Sequence, residues 1–209
     1  MIINPYVFGG FTFTNRLNFV GAGHNLLTSP TVDLGPSVSK ISTLVVTWEA
    51  GATRTLNSLT VGGNAATLRA RAAGINQTHN IEIWHYTNSL SEAEIVPTWS
   101  GDSITRARIG VFFTDPSFTN QNSNGSSSAS SGTSLSRDNN LYDGGYVLAA
   151  TMWASDGPTV TWTNATEVYD SGRESYAIIN GTTVNAFYTV SLVLSSASTN
   201  RRLLYYSAF

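Results

Sequence analysis

Three histidines, His24, His79 and His85, are the first residues to test for chemistry in this chain. His79 and His85 flank "NIEIW" and lie on one face of any strand through that segment. Six residues of strand separate them by roughly 20 Å, too far to chelate one metal. Among carboxylates, Glu92 and Glu94 lie close together in "SEAEIV". Glycoside hydrolysis needs two carboxyls facing each other across a cleft. Residues at i and i+2 share one strand face, which does not put them on opposite sides of a sugar ring. "RDNNLYDGGY" carries Asp138 and Asp143, but Tyr142 stands where a calcium loop needs an oxygen ligand. Asp143-Gly144-Gly145 reads instead as a turn into Tyr146. No Gly-x-Ser-x-Gly elbow occurs, and Gly62-Gly63 is followed by no helical pattern that could cradle a phosphate. The sequence predicts a protein that is not an enzyme, with no catalytic residues, no metal and no cofactor.

Aromatic residues offer a different chemistry. Glu82, Trp84 and Tyr86 alternate along one face of "NIEIWHYT". A solvent-facing row there would stack against a glycan, with Trp99 and Trp162 as further candidates. The same rings could equally belong to a core or an interface.

The elements that must position these residues are strands. Short runs rich in Val, Ile, Thr, Tyr, Phe and Trp are punctuated by Gly, Asn, Asp and Pro, the pattern of an all-β sandwich or barrel. Two groups of runs share an order. "TLVVTWEAG" matches "LAATMWASDG", "TVGGNAATL" matches "TVTWTNATEV", and "HNIEIWHY" matches "ESYAIING". "AEIVPTWSG" then matches "YTVSLVLSS", and each group closes on arginine, aliphatics and aromatics, "RARIGVFF" against "RRLLYYSAF". The expected fold is an antiparallel, jelly-roll-like β-sandwich of about ten strands in two similar five-strand halves. The halves are placed at about residues 36–116 and 141–209 of a single domain spanning 36–209, and they are expected to share one core. Between them, 117–140 reads as a mobile loop, since "NQNSNGSSSASSGTSLSRDNN" has little apolar surface to offset its ordering entropy. Residues 1–35 fall outside the repeat, as an extra edge strand or an apolar arm. In the second case Tyr6, Phe8, Phe11 and Phe13 would dock on a partner by burial or strand addition.

Composition narrows the partners. Of 209 residues only 11% are charged, Lys40 is the one lysine, and the formal net charge is −2. There is no basic footprint for nucleic acid and no apolar run long enough to span a membrane. Cysteine is absent, which removes disulfides and thiolate metal sites. "MIINPYVFGG" lacks the basic and apolar regions of a secretory signal. A surface of short uncharged polar residues costs little to desolvate when a neighbour covers it.

With its Lys-poor, Cys-free, Ser/Thr/Asn-rich strands and the phrases "LTVGGNAATL" and "TWTNATEVYD", the chain resembles the β-sandwich virion proteins of tailed bacteriophages and prophages. The resemblance spans about residues 36–209 and carries over no functional residue. It implies a structural protein located in the virion after assembly in the bacterial cytoplasm. The favoured role is head decoration, with the major capsid protein or other virion proteins as partner and a homo-oligomer as a further option. Tail or fibre components, and a carbohydrate-binding or receptor-binding module, are the alternatives.

Overall fold

The structure is a computed structural model and describes residues 7–8, 11–12, 16–72, 78–118, 121–141, 145–180 and 186–208. Strands form where β-branched and aromatic residues recur, because those side chains fit a pleated, half-buried surface. A short hairpin of β1 (Val7–Phe8) and β2 (Phe11–Thr12) comes first. Then follow β3 (Leu17–Asn25), β4 (Thr31–Asp33), β5 (Lys40–Ala50) and β6 (Leu56–Val61). The first half is completed by β7 (Asn64–Ala65), β8 (Thr67–Arg71), β9 (His79–Asn88), β10 (Glu92–Trp99) and β11 (Ile104–Thr114). The second half opens with β12 (Gln121–Ala129), β13 (Ser134–Leu141), β14 (Tyr146–Met152) and β15 (Val160–Thr163). It closes with β16 (Thr166–Asp170), β17 (Glu174–Asn180), β18 (Ala186–Leu194) and β19 (Arg201–Ala208).

The first half stacks a sheet β3-β11-β5-β9-β8 on a sheet β4-β10-β6-β7. The second stacks β12-β19-β14-β17-β16 on β13-β18-β15. Counted from the start of each half, the orders coincide. The first, eighth, third, sixth and fifth strands make one sheet, and the second, seventh and fourth make the other. This is a jelly roll, two Greek keys wrapped over one core, and the chain contains it twice. In the first roll the fifth strand is split, with β7 pairing β6 and β8 pairing β9, so it closes both sheets. In the second roll β16 pairs with β17.

The all-β, antiparallel fold in two similar halves is as expected, and all five matched phrases fall on equivalent strands. Four expectations need correction. Each half is a complete two-sheet sandwich with its own core, and the described residues form three cores rather than one. Trp48, Leu59 and Ile95 centre the first, and Trp153, Val190 and Leu203 the second. Val45, Phe112, Tyr146, Tyr176 and Leu204 form a third between the two five-stranded sheets. That is why β5, β14 and β19 are buried along their whole length.

The expected loop over 117–140 consists mostly of a pair of strands, β12 and β13. Composition cannot register a partner strand. Eight residues of β12 are held in register by β19, and the small side chains are what the position admits. A methyl group on Gly125 would overlap the Tyr205 ring, while Leu135 of β13 is buried in the second core. Likewise β3 and β4 lie within the expected arm, yet they are the first two strands of the first roll. The segments left out of the sequence repeat on each side are therefore equivalent to each other, and the strand count among the described residues is nearly double the expected ten.

The inter-roll contact pairs like with like. Phe19 and Gly23 of β3 meet Tyr169 of β16, and β12 meets β8. The first strand of each roll thus faces the fifth strand of the other. Such an isologous contact has the form of a two-fold dimer interface, here inside one chain.

Candidate functional site

The sequence-predicted aromatic platform is not assembled. Trp84 is 4% exposed, packs in the first core and donates its indole N–H to Glu82, itself fully buried and paired with Arg71 at 2.7 Å. The face carrying Glu82 and Trp84 points into the roll rather than to solvent, so Trp84 cannot stack on a sugar. Tyr86 is half-buried against the same core. Trp99 is half-buried and meets Trp48 edge-on at 5.6 Å. Trp162 lies in the other roll, half-buried against the second core, with its indole N–H on Ser175 at 2.8 Å. Glu92 and Glu94 are exposed on β10 opposite Asp33 and Thr31. Asp138 accepts a hydrogen bond from Thr189; Asp143 lies outside the described residues. Of the arm residues, Tyr6 and Phe13 also lie outside them, while Phe8 and Phe11 are paired across the β1–β2 hairpin. Among the described residues no group of His, Asp and Glu could hold a metal ion, and no helix is long and apolar enough to cross a membrane.

What the fold does gather is charge. The chain has 11 Lys/Arg and 13 Asp/Glu, and six of these meet at one end of the inter-roll contact. Glu49 is the penultimate residue of β5, Arg106 and Arg108 lie in the first half of β11, Arg173 immediately precedes β17, Glu174 opens it, and Asp156 lies in the turn after β14. Sheet register explains the convergence: β11 pairs Arg106 with Glu49 on β5, and the facing sheet delivers the start of β17 above them.

Glu174 is fully buried. Its Oε2 accepts from the Thr47 hydroxyl and lies 3.3 Å from Arg106 Nη2, both in the other roll. Its Oε1 has no hydrogen-bond partner, nor has Arg106 Nη1. Arg106 also lies 3.6 Å from Glu49. Arg173 reaches across the rolls to Glu49 at 3.2 Å and grips both oxygens of Asp156. Arg108 donates to the carbonyl of Gly23 at 3.0 Å.

Burial pushes the Glu174 carboxyl up, opposed by the Arg106 charge and the Thr47 hydrogen bond. Burial also raises the phenols of Tyr169 and Tyr176 and lowers His79 nearby. Hydrogen bonding to Arg173 holds Asp156 below the usual carboxylate range. Arg106, Arg108, Asp156, Tyr169, Arg173 and Glu174 line an open cleft of about 350 Å³ whose walls come from both rolls.

Sequence reasoning did not single out these residues. The signal was an arginine heading the last strand of each half, treated there as a mark of the repeat. No family model matches the chain, and none of the curated proteins or solved structures compared with it is significantly similar.

Proposed function

We propose that this protein is a non-enzymatic structural component of a phage virion that decorates the head and stabilises the shell, with the major capsid protein as its partner. The observation that supports this reading best is the hairpin of β1 and β2. It carries Val7, Phe8 and Phe11, and among the described residues it forms a two-stranded sheet of its own that extends none of the four sandwich sheets. A two-stranded hairpin is marginal by itself in water, and docking on a neighbouring subunit would stabilise it. Two rolls fused through a continuous core make a stiff block, suited to bridging subunits of a lattice. Jelly rolls are common in capsid architecture, which is an argument from fold alone. Binding only the assembled lattice would stabilise it by mass action.

Counting this chain against the major capsid protein in gradient-purified particles tests the proposal. A comparable copy number supports head decoration, and removal of residues 1–15 should then abolish incorporation. A few copies per particle would move the protein to the tail or a fibre. Absence from particles would overturn the virion reading.

A further inference from the structure

We propose that the cleft between the two rolls binds a neutral saccharide unit, held by the guanidinium groups of Arg106 and Arg108 together with the Glu174 carboxyl. The inference is independent of the virion reading. A cavity of about 350 Å³ is at the small end of ligand-binding pockets, a fit for one or two sugar rings rather than a larger group.

The polar complement of the cleft argues for hydroxyls. Arg173 is occupied by Asp156 and Glu49, and Arg106 lies between Glu174 and Glu49. A phosphate approaching these arginines would also meet the Glu174 and Asp156 carboxylates that line the cleft, and like charges repel. A hydroxyl meets no such conflict. It accepts from a guanidinium N–H and donates to a carboxylate oxygen at once, and a vicinal pair does so twice.

The cleft holds unmatched partners for that exchange. Glu174 Oε1 and Arg106 Nη1 are both buried and both lack a hydrogen bond, a deficiency that folded proteins rarely leave uncorrected. A sugar hydroxyl that displaced the side chains enough to reach them would accept from Arg106 Nη1 and donate to Glu174 Oε1. Arg108 offers its remaining N–H groups beyond the one given to Gly23. At the mouth, Ser171 is exposed, and Tyr169 stacks on Tyr176 at 5.3 Å, fixing the opposite wall. Gly23 is left-handed at φ 81°, and a methyl there would fall 2.5 Å from the Tyr169 hydroxyl. The backbone thus approaches the cleft as only glycine allows.

Saturation-transfer NMR on the full chain provides the test, with methyl glucoside, methyl galactoside, methyl mannoside and N-acetylglucosamine as separate probes and inorganic phosphate as the anionic probe. At least one sugar should bind with a dissociation constant of about 1 mM. Arg108→Gln should weaken it roughly tenfold, by loss of a charged hydrogen bond. Ser171→Trp, which fills the mouth from an exposed position, should abolish it while leaving the thermal melt unchanged. Three results would each overturn the proposal: no binding by any sugar at tens of millimolar, binding of phosphate alone, or sugar binding that survives Ser171→Trp.

Discussion

The two ends of the inter-roll contact bury polar groups in opposite ways. At one end, charges are paired: Glu174 with Arg106, and Glu49 with Arg106 and Arg173. At the other, a titratable ring is kept neutral. His85 is 4% exposed and lies edge-on to Tyr206 at 4.9 Å, with Tyr146 and Phe118 beyond. Both its ring nitrogens and the Tyr206 hydroxyl lack hydrogen-bond partners. The difference follows from access. The charged end opens on a cleft where water moderates the desolvation cost, while the aromatic end is sealed, and there the charged form is what gives way.

The strongest way to break the comparison is to disrupt both ends at once. Gly110 of β11 lies against Tyr176 of the opposite roll, and a side chain there would overlap the ring. Both groups sit in a packed interior, so neither can yield cheaply. Gly110→Val should cost about 3 kcal/mol, seen as a lower urea midpoint. An unchanged midpoint would mean that the rolls do not meet as described.

The charged end alone is tested by a double-mutant cycle. Glu174→Leu leaves Arg106 buried with only Glu49 at 3.6 Å, and should cost about 3 kcal/mol. Adding Arg106→Leu should recover most of that loss, because a buried pair replaced by apolar groups is often neutral. Additive losses in the double variant would show that the two side chains are not coupled.

The aromatic end predicts a pH dependence. Burial holds folded His85 down to about 3, whereas an unfolded histidine titrates near 6.5. As pH falls, the unfolded chain takes up this proton first. The stability linked to His85 is therefore complete above about pH 6.5 and is lost as pH falls towards 3, with a limiting slope of about 1.4 kcal/mol per pH unit. Glu174 acts with the opposite sign. Its carboxyl is raised in the fold, so the folded state takes up that proton first and gains stability as pH falls. Comparison with His85→Phe isolates the histidine. The stability difference between wild type and variant should change by roughly 1 kcal/mol between pH 6 and pH 5. A constant difference would place a charged or solvated ring at residue 85.

These contrasts also explain what could be read in advance. Strands whose own side chains enter a core, such as "TLVVTWEA" and "YVLAATMWAS", announce themselves by hydrophobicity, and their matched order revealed the duplication. β12 and β13 do not, because their strand character comes from pairing with β19 and β18. The short β4 was hidden for a similar reason, its partner β10 being supplied by a distant stretch of the chain. The cleft was illegible because it depends on how two whole rolls stack. Glu49 and Arg173 are 124 positions apart in sequence, and nothing local to either residue signals the other. The placing of Trp84 failed for a related reason. Alternation assigned Glu82 and Trp84 to one face correctly, but a strand covered on both sides has no solvent face to offer.

The smallest expected effect tests the least legible segment. The Ser/Gly-rich β12 pairs with β19 from Gln121 to Ala129, with Gly125 under the Tyr205 ring. Gly125→Ala would ordinarily favour a strand slightly, since alanine loses less backbone entropy on folding. Here the added methyl must displace a ring that is itself 6% exposed and packed in the second core. The displacement should prevail and destabilise the chain by about 1 kcal/mol. Hydrogen exchange separates a strand from a loop independently of that balance. In a ladder, amides pointing at β19 are protected and their neighbours are not, so protection along Gly125–Ser128 should alternate. Uniformly fast exchange there would return the segment to a loop, and with it the equivalence of the first strands of the two rolls would fall.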